Sequence, residues 1–347
     1  VVLLITTAGG ISALLWMRHS RKFAPVSIAV AFLTILSAAF FPVALRGDWW
    51  VNMVIPEGAE AKPNLSTYAP FSEGTAKLGE ESTLVLKAHL PRLDGATALY
   101  PVYAALAEAV YDKDNFSPSL VQCTNTRGAY KAIMSGERDI VFVAIASKEQ
   151  LAQARGTGKD LKFTPIGREA FVFLVGKYNP VENLSYQQIR NIFSGKTANW
   201  GTIGWPDGGR IIAFQRPEGS GSQTGLQNIM GELPIQVPQP LPDTSLIGTN
   251  SLMKQISVKW QGVQPALGYS YRYYATTMYA NQEAKLLSIN RVEPSIENIR
   301  NGEYPFIVNF YAVTAGAPKG NSKLFIDWIL SPQGQKIIEK TGYTPIK

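Results

Sequence analysis

Hydrophobic and polar residues alternate along most of this chain in two recurrent patterns. Short apolar runs rich in β-prone residues predict strands, and stretches with apolar positions three and four residues apart predict amphipathic helices. The predicted strands are residues 83–88, 140–144, 170–175, 211–214, 266–271 and 306–313. The predicted helices are residues 101–111, 128–135, 186–193, 223–230, 252–259 and 323–341. This alternation favours an α/β architecture, in which ligands bind at strand ends and helix N-termini.

The first 47 residues show a different pattern, with two long uncharged apolar runs. Residues 1–17 and 24–45 flank the basic segment Arg18-His19-Ser20-Arg21-Lys22, and the second run of 22 residues is long enough to cross a bilayer. The positive-inside rule places the basic segment in the cytoplasm and everything after Arg46 outside. We therefore predict two transmembrane helices in residues 1–47. The alternative for the first run is the core of a signal peptide.

Residues 48–82 are rich in Pro, Gly, Ser, Glu and Lys and have no steady period, which is typical of a stalk. Trp49 and Trp50 fit the aromatic belt at a membrane surface. The globular part then begins near Thr83. The sequence thus predicts a protein of the cell membrane whose C-terminal domain, residues 83–347, is extracytoplasmic.

Composition narrows the chemistry of that domain. The 347 residues carry a net charge of +7, but four of the positive charges lie in residues 1–47, which hold no acid, so only +3 remains elsewhere. No basic block suited to nucleic acid is present. A single cysteine, Cys123, and two histidines leave almost no material for a disulfide framework, a metal site or histidine-based catalysis. We expect no metal, no cofactor, no nucleic-acid partner and no enzyme activity.

The most informative stretch is the segment from Ile211 to Gly225. A β-prone run enters a loop with Arg216, Gly219, Ser220, Gly221 and Ser222, and the loop leads into a helix. Glycine-rich backbone and a helix N-terminus point N–H groups at an anion, hydroxyls add donors, and an arginine adds a charged planar fork. The segment therefore indicates an anion-binding loop, although an ordinary strand-loop-helix corner with a surface arginine fits the pattern about equally well.

Two further donor clusters precede helices. Gly95-Ala96-Thr97-Ala98 comes just before the helix that Pro101 is suited to start, and Thr126 precedes Gly128. Each threonine could bind an anion through its hydroxyl and N–H, or could simply cap its helix.

These clusters, in this order and spacing, resemble the phosphate-binding proteins of ABC transporters. The matching motifs are Gly95-Ala96-Thr97 with Pro101-Val102-Tyr103-Ala104, Thr126 with Gly128 and Lys131, and Arg216 with Gly219-Ser220-Gly221-Ser222. The resemblance covers roughly residues 86 to 347 and leaves out the two apolar runs. It implies a type II periplasmic-binding-protein fold, in which two α/β lobes joined by crossover strands close on a ligand. The expected lobes are residues 83–166 with 305–347, and residues 167–304.

The resemblance also implies the ligand-binding residues. From the first lobe these are Thr97, Ala98 through its N–H, and Thr126; from the second lobe they are Arg216, Ser220, Gly221 and Ser222. Glu218 stands where the family has an acid that could hold the Arg216 guanidinium. The implied partners are inorganic phosphate or a similar oxyanion, and the permease and ATPase subunits of an ABC transporter, with the membrane held by the N-terminal helices.

Two positions depart from the family pattern. Ala98 replaces an aromatic residue, and Ala144 replaces the aspartate that accepts the proton of hydrogen phosphate and repels sulfate. Three hypotheses follow: a tethered phosphate receptor for ABC transport; a receptor or sensor for another oxyanion, such as sulfate or an organic phosphate, without transport; and a hydrolase. The hydrolase needs a nucleophile and a base that the sequence does not convincingly offer.

Overall fold

A computed structural model describes residues 52–54, 63–240, 252–259 and 263–346. Residues from Val51 to Lys347 belong to one compact unit. The predicted membrane spans, residues 1–17 and 24–45, lie outside the described residues. Among the helices of the described part, none is long and apolar enough to span a membrane.

The strands of the described residues form one large mixed sheet and one small pair. They are β1 (Asn52–Val54), β2 (Leu93–Gly95), β3 (Ile140–Val143), β4 (Leu161–Gly176), β5 (Asn183–Leu184), β6 (Ile212–Gln215), β7 (Gln239–Pro240), β8 (Ala266–Tyr271), β9 (Ala284–Leu286), β10 (Ser288–Ile289), β11 (Ile307–Ala315) and β12 (Thr344–Pro345). The large sheet has ten strands in the order β2-β3-β11-β4-β8-β6-β1-β7, with β12 and β9 also paired to β4. The small pair is β5 with β10.

One long strand, β4, joins the halves of the large sheet. The first part of β4 pairs antiparallel with β11, and its last residues, from Phe171, pair antiparallel with β8. On one side β2 is parallel to β3, and on the other β6 is parallel to both β8 and β1. We call the part built on β2, β3 and the β11 side the first lobe, and the part built on β8 and β6 the second lobe.

Helices pack on both parts of the sheet. They are α1 (Tyr100–Val110), α2 (Asn125–Ser135), α3 (Lys148–Gly156), α4 (Tyr186–Phe193), α5 (Gly221–Met230), α6 (Leu252–Gln255), α7 (Ile296–Arg300), α8 (Gly320–Ile329) and α9 (Pro332–Lys340). Most elements agree with the predicted pattern because their apolar faces are also the buried faces.

The core of the first lobe fixes the path of the chain just after β2. Tyr103 of α1 is fully buried, and its ring stacks on Phe142 of β3 at a centroid distance of 5.1 Å. A Cβ atom on Gly95 would lie 2.5 Å from the carbonyl oxygen of Phe142 and 2.6 Å from the Tyr103 ring. Only glycine fits there, so the backbone enters the 96–98 turn in close contact with the sheet.

The core of the second lobe orients α5. Phe171 of β4 and Tyr269 of β8 are fully buried and stacked at 5.4 Å. A Cβ atom on Gly225 of α5 would lie 2.5 Å from the Phe171 ring. This close approach holds the N-terminus of α5 at the end of β6.

Three predictions about elements need correction. The predicted helix 323–341 is two helices, because Pro332 lacks the N–H that a continuous helix needs and Ser331 caps α9 instead. Residues 83–88 form no strand and contribute only an isolated bridge from Leu86 to Tyr111. The compact unit begins before the predicted boundary at residue 83, because β1 pairs with β6 and partly buried Leu65 and Tyr68 pack on the first core.

Candidate ligand-binding site

The loop between β6 and α5 has the geometry of an anion-binding loop. Gly219 has a φ of +75°, which turns the chain into the helix. Ser220 is the N-cap of α5, and its side-chain oxygen accepts a hydrogen bond from the N–H of Gln223 at 3.2 Å. Because this oxygen acts as an acceptor, the hydroxyl proton can be donated to another group. Gly221 and Ser222 form the first turn of α5, where backbone N–H groups have no partner within the helix.

The backbone at Arg216 is held by two buried side chains. Its N–H donates to the Tyr269 hydroxyl at 2.9 Å and to the side-chain oxygen of Gln223 at 3.1 Å. Tyr269 also donates to Gln223, and both side chains are buried. Burial is the main cause that raises the pKa of Tyr269, so the phenol stays protonated. These contacts fix where the Arg216 side chain leaves the backbone.

The sequence analysis predicted that Glu218 could bind the Arg216 guanidinium, but the hydrogen bonds of Glu218 are with other groups. Its carboxylate accepts from the side-chain amide of Gln227 at 2.9 and 3.1 Å and from the N–H of Gly219 at 3.2 Å. Glu218 thus ties the loop to α5.

The two donor clusters of the first lobe are held together by Asp94. This fully buried carboxylate accepts from the N–H of Gly95 at 2.7 Å, and from the N–H and hydroxyl of Thr124 at 2.8 and 2.6 Å. The 95–98 turn and the start of α2 therefore form one rigid unit. Sequence reasoning passed over Asp94, because its partner Thr124 is 30 residues away along the chain.

Neither Thr97 nor Thr126 makes a side-chain hydrogen bond that caps its helix. Thr97 is the first residue of a 3-10 turn whose N-cap, Ala96, makes no side-chain capping bond. At α2 the capping oxygen belongs to Asn125, which accepts from the N–H groups of Arg127 and Gly128 at 3.0 and 3.2 Å. Thr97 has the Cys123 thiol 3.8 Å from its hydroxyl oxygen, and Thr126 is buried.

The two lobes meet at the Arg216 loop. Arg127 donates to the carbonyl of Glu218, and the side-chain amide of Gln150 donates to the carbonyl of Gly219 at 3.2 Å. A Cβ atom on Gly221 would lie 2.9 Å from the Thr126 hydroxyl oxygen. The lobes are therefore closed on each other in this structure, with Thr126 directly opposite Gly221.

A small cavity of about 20 Å³ lies beside this contact. Its lining includes Ala98, Thr126, Ala144, Glu169, Tyr271 and Asn309. Tyr271 donates to the carbonyl of Gly221 at 3.0 Å, which connects the cavity to the N-terminus of α5. Of the predicted ligand-binding residues, Ala98 and Thr126 line this cavity. The others do not line it: Thr97, Arg216, Ser220, Gly221 and Ser222.

Glu169 is an acid in the site that sequence reasoning missed. It lies on β4 with only 5% of its surface exposed, and burial raises its pKa to about 7. Its carboxylate accepts from the N–H of Ala170 at 2.8 Å and from the N–H of Tyr273 at 3.1 Å, contacts that partly oppose this rise. In the sequence Glu169 stands next to Arg168 and just before the predicted strand 170–175, so nothing there marks it as a buried acid.

Comparison with known proteins identifies the family of this chain. Residues 88–333 match the model of a PBP superfamily domain. The chain belongs to the PBP superfamily. This match supports the predicted two-lobed α/β architecture of the described part.

Curated relatives agree with the resemblance found from the motifs. The phosphate-binding protein PstS of Bacillus subtilis is 26% identical over 258 residues, which cover 73% of this chain and 80% of that protein. Protein SphX of Synechococcus elongatus is 23% identical over 268 residues, covering 73% of this chain and 76% of that protein. The predicted similarity to phosphate-binding proteins is confirmed.

Solved structures give the same fold. A proposed phosphate ABC transporter substrate-binding protein of Clostridium perfringens, solved with bound phosphate, is 26% identical with a TM-score of 0.55, covering 74% of this chain and 98% of that chain. An ABC-type phosphate transport receptor of Vibrio cholerae has a TM-score of 0.51 at 18% identity, covering 73% and 98%, and shows the fold alone.

Proposed function

We propose that this protein captures inorganic phosphate between its lobes, outside the cell, and delivers it to the permease and ATPase subunits of an ABC transporter. The observation that carries the proposal is the position of Thr126 opposite Gly221, because it joins donor clusters from both lobes at one closed cleft. The relatives named as phosphate-binding proteins support the choice of ligand.

In this proposal each predicted residue has a role set by its chemistry. Arg216 supplies the formal positive charge and two parallel N–H groups. The hydroxyls of Ser220 and Ser222 and the N–H of Gly221 donate from the second lobe. Thr126, and at the edge of the cleft Thr97 and the N–H of Ala98, donate from the first. A small tetrahedral anion needs such donors on several sides once water is removed.

We also propose that residues 1–47 tether the protein to the membrane through two helices, with residues 83–166 and 305–347 forming one lobe and 167–304 the other. The apolar runs and the basic segment between them support the tether. A binding role without catalysis fits the proposed ligand contacts, which are backbone N–H groups, hydroxyls and a guanidinium that donate hydrogen bonds.

A second candidate is a receptor or sensor for another oxyanion. Ala144 favours it, because its side chain cannot accept the proton that distinguishes hydrogen phosphate from sulfate. Its carbonyl is also engaged, accepting from the Tyr130 hydroxyl at 2.7 Å.

Calorimetric titration of the full chain in detergent with phosphate, sulfate and a small organic phosphate separates the candidates. The proposal predicts saturable binding of phosphate and weaker binding of the other two. Tighter binding of sulfate or of the organic phosphate would favour the second candidate. A folded protein that binds none of them would contradict both.

A further inference from the structure

The cavity beside the lobe contact is lined by two positions that bear on specificity. One is Ala144, where the family resemblance implies an acid, and the other is Glu169, an acid to which the sequence analysis gave no role. Ala144 and Glu169 line the same cavity, together with Thr126. Ala144 follows β3 in the first lobe, whereas Glu169 lies on β4, the strand that connects the two lobes. The carboxylate thus approaches the cleft from a different direction than an acid at position 144 would.

The cavity that Thr126 and Glu169 both line is small. A cavity of about 20 Å³ is near the volume that one water molecule occupies. Thr126 and Glu169 both border this space, so a water held in it can connect an anion at Thr126 to the Glu169 carboxylate.

The Glu169 carboxylate is held in place by backbone hydrogen bonds and can still accept further hydrogen bonds. Each of its oxygens receives one backbone N–H, from Ala170 and from Tyr273. An ionised carboxylate has about four lone-pair sites, so two remain for other donors. The backbone bonds fix its orientation, and a ligand hydroxyl need not displace them.

The charged and titratable groups around Glu169 are few. Arg272 lies close enough to lower its pKa, and the hydroxyl-bearing side chains Tyr271, Tyr273 and Tyr343 lie close enough for Glu169 to raise theirs. The residue paired with it on β11 is Val308, which carries no charge. Glu169 is therefore the acid that faces this cavity among the residues that line it.

We propose that Glu169 takes the role of the acid absent at position 144, accepting the proton of bound hydrogen phosphate, directly or through one water, and disfavouring sulfate. This inference rests on the proposed function and names the residue that sets its specificity. Sulfate has no proton to donate at neutral pH, so against an ionised Glu169 it meets an unpaired acceptor of the same charge sign.

The position of the pKa makes this specificity depend on pH. Burial holds the pKa of Glu169 near 7 in the unliganded protein, so the carboxyl is mostly neutral at pH 6 and mostly ionised at pH 8. A neutral carboxyl can donate its proton to sulfate. Sulfate should therefore bind more tightly at the lower pH.

The test is to measure phosphate and sulfate affinities of the full chain and of Glu169→Gln at pH 8. The ratio of the two affinities is expected to fall by about tenfold or more in the variant, because the amide can donate to sulfate and carries no charge. Glu293→Gln is the matched control, since Glu293 is exposed and does not line the cavity. Its ratio should equal that of the unmodified chain.

A rescue variant separates loss of an acceptor from loss of structure. Glu169→Gln combined with Ala144→Asp restores a carboxylate to the cavity from the other side, and should recover most of the lost selectivity. Phosphate binding by the unmodified chain with an unchanged ratio in Glu169→Gln would overturn this inference and leave the proposed function standing. Absence of phosphate binding by the folded unmodified chain would overturn both.

Should Glu169→Gln fail to fold, the pH dependence of sulfate binding decides, measured on the unmodified chain and on a histidine variant. The sulfate affinity of the unmodified chain is expected to rise about tenfold between pH 8 and pH 6, in His89→Gln as well, which removes the exposed histidine as a cause. A flat sulfate profile would contradict the role of Glu169.

Discussion

At the scale of single residues, the site consists of hydrogen-bond donors and of the buried side chains that hold them in place. Arg216 is placed by Tyr269 and Gln223, and the first-lobe turns are joined by the buried carboxylate of Asp94. The donors could be predicted because they sit in compact motifs with loop and helix-start chemistry. The supports from Tyr269 and Asp94 could not, because Tyr269 is 53 residues from Arg216 and Asp94 is 30 residues from Thr124.

Arg216→Ala should remove most of the affinity for phosphate. Two charge-assisted hydrogen bonds and a formal charge are lost, so we expect a loss of about 3 kcal/mol or more, roughly 150-fold in Kd. The fold should survive, because the backbone N–H that bonds Tyr269 and Gln223 remains. Calorimetry measures the effect, with Arg155→Ala as a control at an exposed arginine. Unchanged affinity in Arg216→Ala would place the site elsewhere.

At the scale of elements, the hydrophobic pattern correctly predicted the helices and strands that bury one face. It failed where long-range strand pairing or a proline determines where an element begins or ends. The strand after residue 210 and the helix after it agree with the pattern within two residues at each end. Residues 83–88 are β-prone but find only one bridging partner, and Pro332 divides a continuous apolar pattern into α8 and α9. Glu169 is hidden for the same reason, since the cavity it lines is assembled from seven separate segments of the chain.

The N-cap of α5 should have a role that other caps lack. Ser220 and Ser185 both accept from the N–H three residues on, at 3.2 and 3.1 Å. Replacing either by alanine should lower the free energy of unfolding by about 1 kcal/mol. Only Ser220→Ala should also weaken phosphate binding, by roughly tenfold, because the proposed function makes its hydroxyl a donor to the ligand. Thermal unfolding and calorimetry of both variants give the comparison; equal affinities would show that Ser220 acts only as a cap.

At the scale of the whole molecule, the two lobes share the strand that carries the buried acid. Glu169 lies where β4 passes from pairing with β11 to pairing with β8, and Arg127 and Gln150 bridge the lobes at the Arg216 loop. Protonation of one residue on this strand therefore affects both the stability of the unit and the chemistry of its cleft.

Stability without a ligand should depend on pH through Glu169. Burial raises the pKa of Glu169 from an ordinary 4.5 to about 7 in the folded state, so the folded state holds the proton more tightly between these values. The contribution is fully present below pH 4.5 and is lost as pH rises through 7, a change of about 3 kcal/mol. Chemical denaturation at pH 5 and pH 8 should show Glu169→Gln gaining stability relative to the unmodified chain at the higher pH. A difference that does not change with pH would contradict this.

The most direct test of the central claim is a crystal structure of the protein with phosphate. Donor clusters from both lobes are expected to surround one anion, with Arg216, Thr126 and the N-terminus of α5 at hydrogen-bond distance from its oxygens. Phosphate bound outside this cleft, or contacted by residues of one lobe alone, would contradict the account.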